Sequence, residues 1–558
     1  AIGRLIKMPT KKSILLPVIV VIGIVAGGAA AYWCFKGNFG SASSPLASAK
    51  VVPDDALMAT FISTDPGALA QLQQFGTPEA EKSIQKSLQD LDRQVLAKSN
   101  INYEKDIQPW LGSVTIAVLP PSSAKQVQAT PFSSQPNILL VLGIKNGLSA
   151  WNFSNKLKAD KTITSKEFDY KGQKITESTT KGSTSQGEPI YSSIVGDRVV
   201  LAPARFAVEQ AIDTYKGEPS FATKAGVDST FAQGLQLKNP IAQIYLPDYA
   251  GAVQQLSTAN PAGLPPQTLA QLQSVKTIVA GVGVDNLGIR MKAIAQLNPN
   301  AINIEYQNSP GKIVTRFPID TLALLTGAGI SRTWTAFINQ TKDLPEVTQG
   351  LDSARRSLKK TYNLDLDREV FGWMDGEFAI GAIPSDRGML AALGFGSVLM
   401  FQTSDRATAE STLGKLDAIA KGNFLAVVPK NINGKTITEW QVPAQGAIIG
   451  HGWLDRDTMF VALGEPIVEA IANRSSQSLN NSEAFKAATA SLPQPNAGYF
   501  YLDMDKTMSL LASKPLSSAI DPEATAMLNS IRGIAMTASN PDKTTSQMEL
   551  LVALKQRK

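Results

Sequence analysis

One imidazole, His451, and one thiol, Cys34, are all that the 558-residue chain offers for nucleophilic or metal chemistry with those groups. A Cys/His zinc site and an intramolecular disulfide each need more copies than exist. Any Ser-His-Asp mechanism must run through His451, which lies in Gly450-His451-Gly452-Trp453 on an expected strand, and no G-x-S-x-G nucleophile turn occurs. Ser-x-x-Lys occurs at Ser83–Lys86, Ser122–Lys125, Ser178–Lys181, Ser309–Lys312 and Ser357–Lys360, in each case without the companion motifs of a penicillin-binding enzyme. Asn363-x-Asp365-x-Asp367-x-Glu369 imitates the start of a calcium loop, but Arg368 stands where that loop needs Gly and Met374 where it needs Glu. Asp503 and Asp505 place two carboxylates on one face of an expected strand. Gly327-Ala328-Gly329 follows an apolar run but lacks the third Gly of a dinucleotide fingerprint. No catalytic residue, cofactor site or metal set is expected, and the reading is a non-enzyme.

The elements that carry these residues are written twice. VPDDALMATFI from Val52 matches FPIDTLALLTG from Phe317, and NINYEKDIQPWLG from Asn100 matches NLDLDREVFGWMDG from Asn363, so that Trp110 falls on Trp373. ILLVLGIKNGLSAWNFSNKL from Ile138, YKGQKITES from Tyr170, IVGDRVVLAPARFAVEQAI from Ile194 and AQIYLPDYAGAVQQL from Ala242 each find a counterpart in the same order in the second half. This predicts two repeat units, 51–300 and 301–558, each an antiparallel sheet with packed helices, an α+β fold. Val347, Leu351, Ala354, Leu358 and Tyr362 recur at helical spacing, as do Ile84, Leu88, Leu91 and Val95. Trp110 and Trp373 read as core rings, with ligand stacking or partner contact as the alternative.

The N-terminus is of another kind. Ser13 to Phe35 is an uncharged run, and at 1.5 Å per residue a helix of that length covers about 34 Å, enough for a ~30 Å hydrocarbon layer. Residues 1–12 form a basic tail, and Arg4, Lys7, Lys11 and Lys12 against Lys36 orient it into the cytoplasm with the body in periplasm or lumen. A cleaved signal peptide is the competing reading, with small-residue sites at Ala29–Ala31 and Ala47–Ala49. Gly23, Gly27 and Ala31 have the small-xxx-small spacing that lets two anchors pack as a homodimer. Residues 36–50 read as a Gly/Ser/Ala/Pro linker. Net charge is +6, but residues 1–36 hold five basic and no acidic side chains, leaving 48 basic against 47 acidic in the rest. A neutral body gives no phosphate-steering field, so nucleic acid is not an expected partner.

The basic N-terminus, single span, Ser/Ala linker and the two copies opening with VPDD or FPID and carrying Trp110 or Trp373 resemble an uncharacterised family. Its members are exported, membrane-anchored proteins found chiefly in cyanobacteria, and the family carries a domain-of-unknown-function label. The resemblance implies a plasma or thylakoid membrane and a periplasmic or lumenal body, and supplies no functional residues. Three functions follow. The first is a non-catalytic, membrane-tethered interaction or assembly protein acting on a membrane protein complex. The second is a carrier of a hydrophobic ligand, lipid or pigment, which requires a continuous apolar pocket. The third, a hydrolase, requires a Ser or Asp within reach of His451 or of a buried Lys in a cleft.

Overall fold

The computed structural model describes residues 45–63, 66–78, 105–106, 109–120, 137–159, 163–180, 189–224, 235–256, 272–299, 307–342, 344–443, 446–473, 477–513 and 521–557. The expected span 13–35 with Gly23, Gly27 and Ala31, and the helix expected over 84–95, lie outside the described residues. Among the described residues no helix is long and apolar enough to cross a membrane. The stretch expected as linker up to Lys50 ends in a short helix, α1 (Pro45–Ala49), whose Ser48 and Ala49 are buried. The small apolar Ala47 and Ala49 in that stretch give it a face to pack, which a solvated linker lacks.

The chain is α+β and divides into two compact units, Ala1–Gln74 with Glu81–Asn286, and Phe75–Ala80 with Leu287–Lys558. Unit 1 contains β1 (Met58–Ile62), β2 (Leu111–Leu119), β3 (Asn137–Ile144), α2 (Gly147–Ala159), β4 (Ile163–Tyr170), β5 (Gln173–Thr180), β6 (Ile190–Val195), β7 (Arg198–Ala202), β8 (Pro240–Leu246) and β9 (Val275–Val284). Every pairing is antiparallel, in the order β4-β5-β6-β7-β3-β2-β1-β8-β9.

Unit 2 contains β10 (Gly288–Leu297), β11 (Ala323–Ala328), α3 (Ile330–Thr341), α4 (Pro345–Tyr362), β12 (Glu377–Pro384), β13 (Phe395–Gln402), α5 (Arg406–Gly422) and β14 (Ala426–Ile432). It continues through β15 (Lys435–Val442), β16 (Gly446–Trp453), β17 (Thr458–Leu463), α6 (Glu465–Ala472), α7 (Glu483–Thr489), β18 (Tyr499–Asp503), α8 (Met504–Ala512), β19 (Ile531–Asp542) and β20 (Thr545–Leu554). The antiparallel order is β14-β15-β16-β17-β13-β12-β11-β18-β19-β20-β10. From β14 to β19 it repeats the order of unit 1 strand for strand.

One face of the second sheet is closed. Leu324, Ala379, Val398, Phe460, Ala535 and Leu551 project to one side and pack with Ile467, Val468 and Ile471 of α6 and Phe485 and Ala488 of α7. A buried ion pair crosses the same face: Glu549 of β20 meets Arg290 of β10, which also donates to Ser491 Oγ at 2.7 Å, and Lys292 stands 3.4 Å away. The helix expected from Val347 to Tyr362 forms as α4, yet none of its residues is buried.

Candidate functional site

The other face of the unit 2 sheet is apolar too. An antiparallel sheet with one solvated face alternates apolar and polar side chains, whereas strands buried on both faces read as nearly continuous apolar runs. β11 (ALLTGA), β12 (EFAIGAIP) and β13 (FGSVLMFQ) are of the second kind. The register lines up Val461, Leu399, Ile380, Leu325, Phe500, Met536, Leu550 and Met291 across eight strands. That row is only partly covered: Leu325 and Ile380 are each 43% exposed, and Met548, on the same face of β20, is 46% exposed.

Helices close over part of this row and leave a cleft of about 690 Å³. Leu325, Phe378, Phe500, Met536 and Met548 form its floor, and Ile330, Trp334 and Phe337 of α3, with Phe371, form its wall. Depth comes from small residues in the floor: Gly327, Ala328, Ala497, Gly498 and Ala538. Gly498 has φ +113°, and a Cβ there would lie 2.2 Å from the carbonyl oxygen of Thr326, so any side chain is refused on both counts. A Cβ at Gly327 would come within 2.6 Å of the Phe378 ring. The Gly327-Ala328-Gly329 run thus gives the cleft its depth, with Gly329 in the left-handed conformation at the start of α3.

The wall is held by one carboxylate. Trp334 packs on Phe371 at 4.3 Å between ring centroids and donates from Nε1 to Asp367 Oδ1 at 2.8 Å. Arg355 of α4 grips Asp367 with both Nε, at 2.7 Å, and a terminal nitrogen, at 3.1 Å. Those Arg355 hydrogen bonds, and after them the Trp334 N–H, hold the Asp367 carboxyl below the ordinary carboxylate range. Two hydroxyls of the floor bond within the protein: Thr326 Oγ1 accepts the amide of Tyr499 at 2.9 Å, and Thr537 Oγ1 donates to the Gly498 carbonyl at 2.6 Å.

The other residues singled out in the sequence lie outside the cleft lining. Trp110 and Trp373 are each 4% exposed, so neither presents a ring face to solvent. Each donates Nε1 to the carbonyl four residues back, Asp106 at 2.8 Å and Glu369 at 2.9 Å. The side chain of that residue in turn pairs with a lysine, Lys156 of α2 in one unit and Lys415 of α5 in the other. Lys156 and Lys415 are also equivalent in the aligned sequences. The calcium-loop lookalike is drawn apart: Asp365 caps the amides of Asp367 and Arg368, Asp367 faces Arg355, and Glu369 faces Lys415. Asp503 and Asp505 do not share a strand face, because β18 ends at Asp503, which caps α8 through the Lys506 amide, while Asp505 lies in the helix and pairs with Lys555.

His451 sits in β16, 5% exposed, with Nε2 2.8 Å from Asp417 Oδ1 of α5; the same oxygen accepts Trp440 Nε1 at 2.7 Å. An aspartate is therefore in reach of the histidine, but it is shared with an indole under a helix. The arrangement ties α5 to the sheet. No charged or nucleophilic constellation lines the cleft among the described residues. The signals that could have located it were the pair of apolar faces on β11, β12 and β13 and the i, i+4, i+7 stripe of Ile330, Trp334 and Phe337 on α3.

Residues 17–554 match the family model described as Protein of unknown function (DUF3352). The chain belongs to this family. No curated protein matches it. Among solved structures, crystal forms IV, III and I of TP0453 are similar at 9%, 11% and 11% identity, covering 46%, 46% and 47% of this chain and 81%, 81% and 83% of theirs. Their TM-score of 0.26 is too low to carry any conclusion about this DUF3352 member.

Proposed function

We propose that the protein is a non-catalytic, membrane-tethered binding protein, and that unit 2 takes an apolar ligand into the cleft between α3 and the outer sheet face. The observation that carries this reading is the uncovered apolar floor around a 690 Å³ space, within the ~300–1,000 Å³ typical of ligand sites. Sheet strands that are apolar on both faces ordinarily have both faces covered. The tether is the 13–35 segment, with the body in periplasm or lumen; the common strand order and the matching acid–lysine–tryptophan clusters support descent of the two units from one duplicated ancestor. The test is to purify the full chain from solubilised membranes, extract it with organic solvent and record native mass spectra. A bound apolar molecule is expected; a protein that releases none and binds no apolar fluorophore defeats the reading.

A second reading, docking on a membrane protein complex, is favoured by the continuation of the exposed apolar row past the cleft through Ile380 and Leu399. Ile380→Asp with Leu399→Asp should then lose partners in affinity purification while ligand binding in the cleft persists.

A further inference from the structure

Resting on the ligand reading above, we infer that the ligand of the unit 2 cleft is electrically neutral, an uncharged hydrophobic molecule of the prenyl, polyene or acyl-ester class, and that anionic lipids are rejected. Three observations carry this. None of the lining residues is charged, among the described residues; Gln307 and Thr333 add an amide and a hydroxyl, both neutral. The hydroxyls of Thr326 and Thr537 and the indole N–H of Trp334 already bond within the protein. The carboxylate nearest the wall, Asp367, opposes an anion, and the Arg355 charge beside it is committed to Asp367 and Asp352. A carboxylate or phosphate brought to this cleft would shed water without gaining a cation, a cost of several kcal/mol in an apolar site. A neutral molecule avoids that cost and keeps the full gain of burying apolar surface.

The experiment uses the full chain and a matched pair of probes, the fluorescent polyene parinaric acid and its methyl ester, titrated at pH 8 where the acid is ionised. The ester should bind at least tenfold more tightly than the acid. Met548→Lys, on the exposed rim of the floor, should raise acid affinity at least tenfold without improving the ester, and Met548→Gln should not. This gain cannot arise from misfolding. Equal affinity of acid and ester, with Ala538→Trp abolishing both, overturns the neutral-ligand inference and leaves the ligand reading standing. Binding of neither probe, or of both undisturbed by Ala538→Trp, defeats the ligand reading and the inference with it.

Discussion

Ala538→Trp is the most direct perturbation of the cleft. Ala538 lies on β19, paired with Met548 of β20, and its methyl group lines the floor. The position is half-buried on the outer face, so the indole enters the empty space and leaves the inner core untouched. An indole buries on the order of 150–250 Å². If about 150 Å² of that replaces ligand contact, at ~25 cal/mol/Å² the ligand loses ~4 kcal/mol, two to three decades of affinity. The assay is fluorescence titration of parinaric methyl ester against wild type, Ala538→Trp and Leu463→Ser, the last an exposed position outside the cleft. Circular dichroism melts of all three should coincide within a few degrees. Affinity of Ala538→Trp within threefold of wild type, with an unchanged melt, refutes the cleft as the binding site.

Removing Glu549 alone leaves Arg290 and Lys292 facing a closed sheet surface, and Glu549→Ala should cost about 3–5 kcal/mol in urea unfolding. The triple variant Arg290→Met, Lys292→Met with Glu549→Leu should recover most of that loss, and failure to do so argues against an uncompensated charge as the cause. Asp367 is depressed in the folded state, so its contribution is present above the unfolded carboxylate value of about 3.9 and is lost as pH falls through the lower folded value. Asp367→Asn should therefore flatten the stability–pH curve below about pH 4; an unchanged slope contradicts the assignment. His451→Ala should lower stability by about 1–3 kcal/mol through the lost bond to Asp417 while leaving ligand binding intact. Trp373→Ala should cost about 3–5 kcal/mol in thermal unfolding as a buried ring is lost, and a negligible change would mean that the ring is not part of the core.

Local pattern carried a large part of this fold. The apolar runs Val114–Val118 and Phe378–Ala382, and the turn at Gly196-Asp197, are set by nearest neighbours, and they form β2, β12 and the β6–β7 hairpin. The helical stripe of α4 was equally legible, but its spacing says nothing about what it packs on. The Asp503/Asp505 expectation failed because the strand gives way to a helix capped by Asp503 itself, and capping is a choice between neighbouring backbone conformations that the strand pattern does not register.

The sequence by itself determined that this protein has too few histidines and cysteines for their usual chemistries, that its body is nearly neutral, and that its halves align segment by segment. Those properties depend on which residues are present and in what order. Only the tertiary structure decided that Trp334 from α3, Phe371 from the segment after α4 and Met548 from β20 border one space, and that Asp417 reaches His451 across a helix–sheet contact. These groups are far apart along the chain. What brings them together is the sheet register and the side each helix chooses, a collective outcome of burying apolar area that no local pattern encodes.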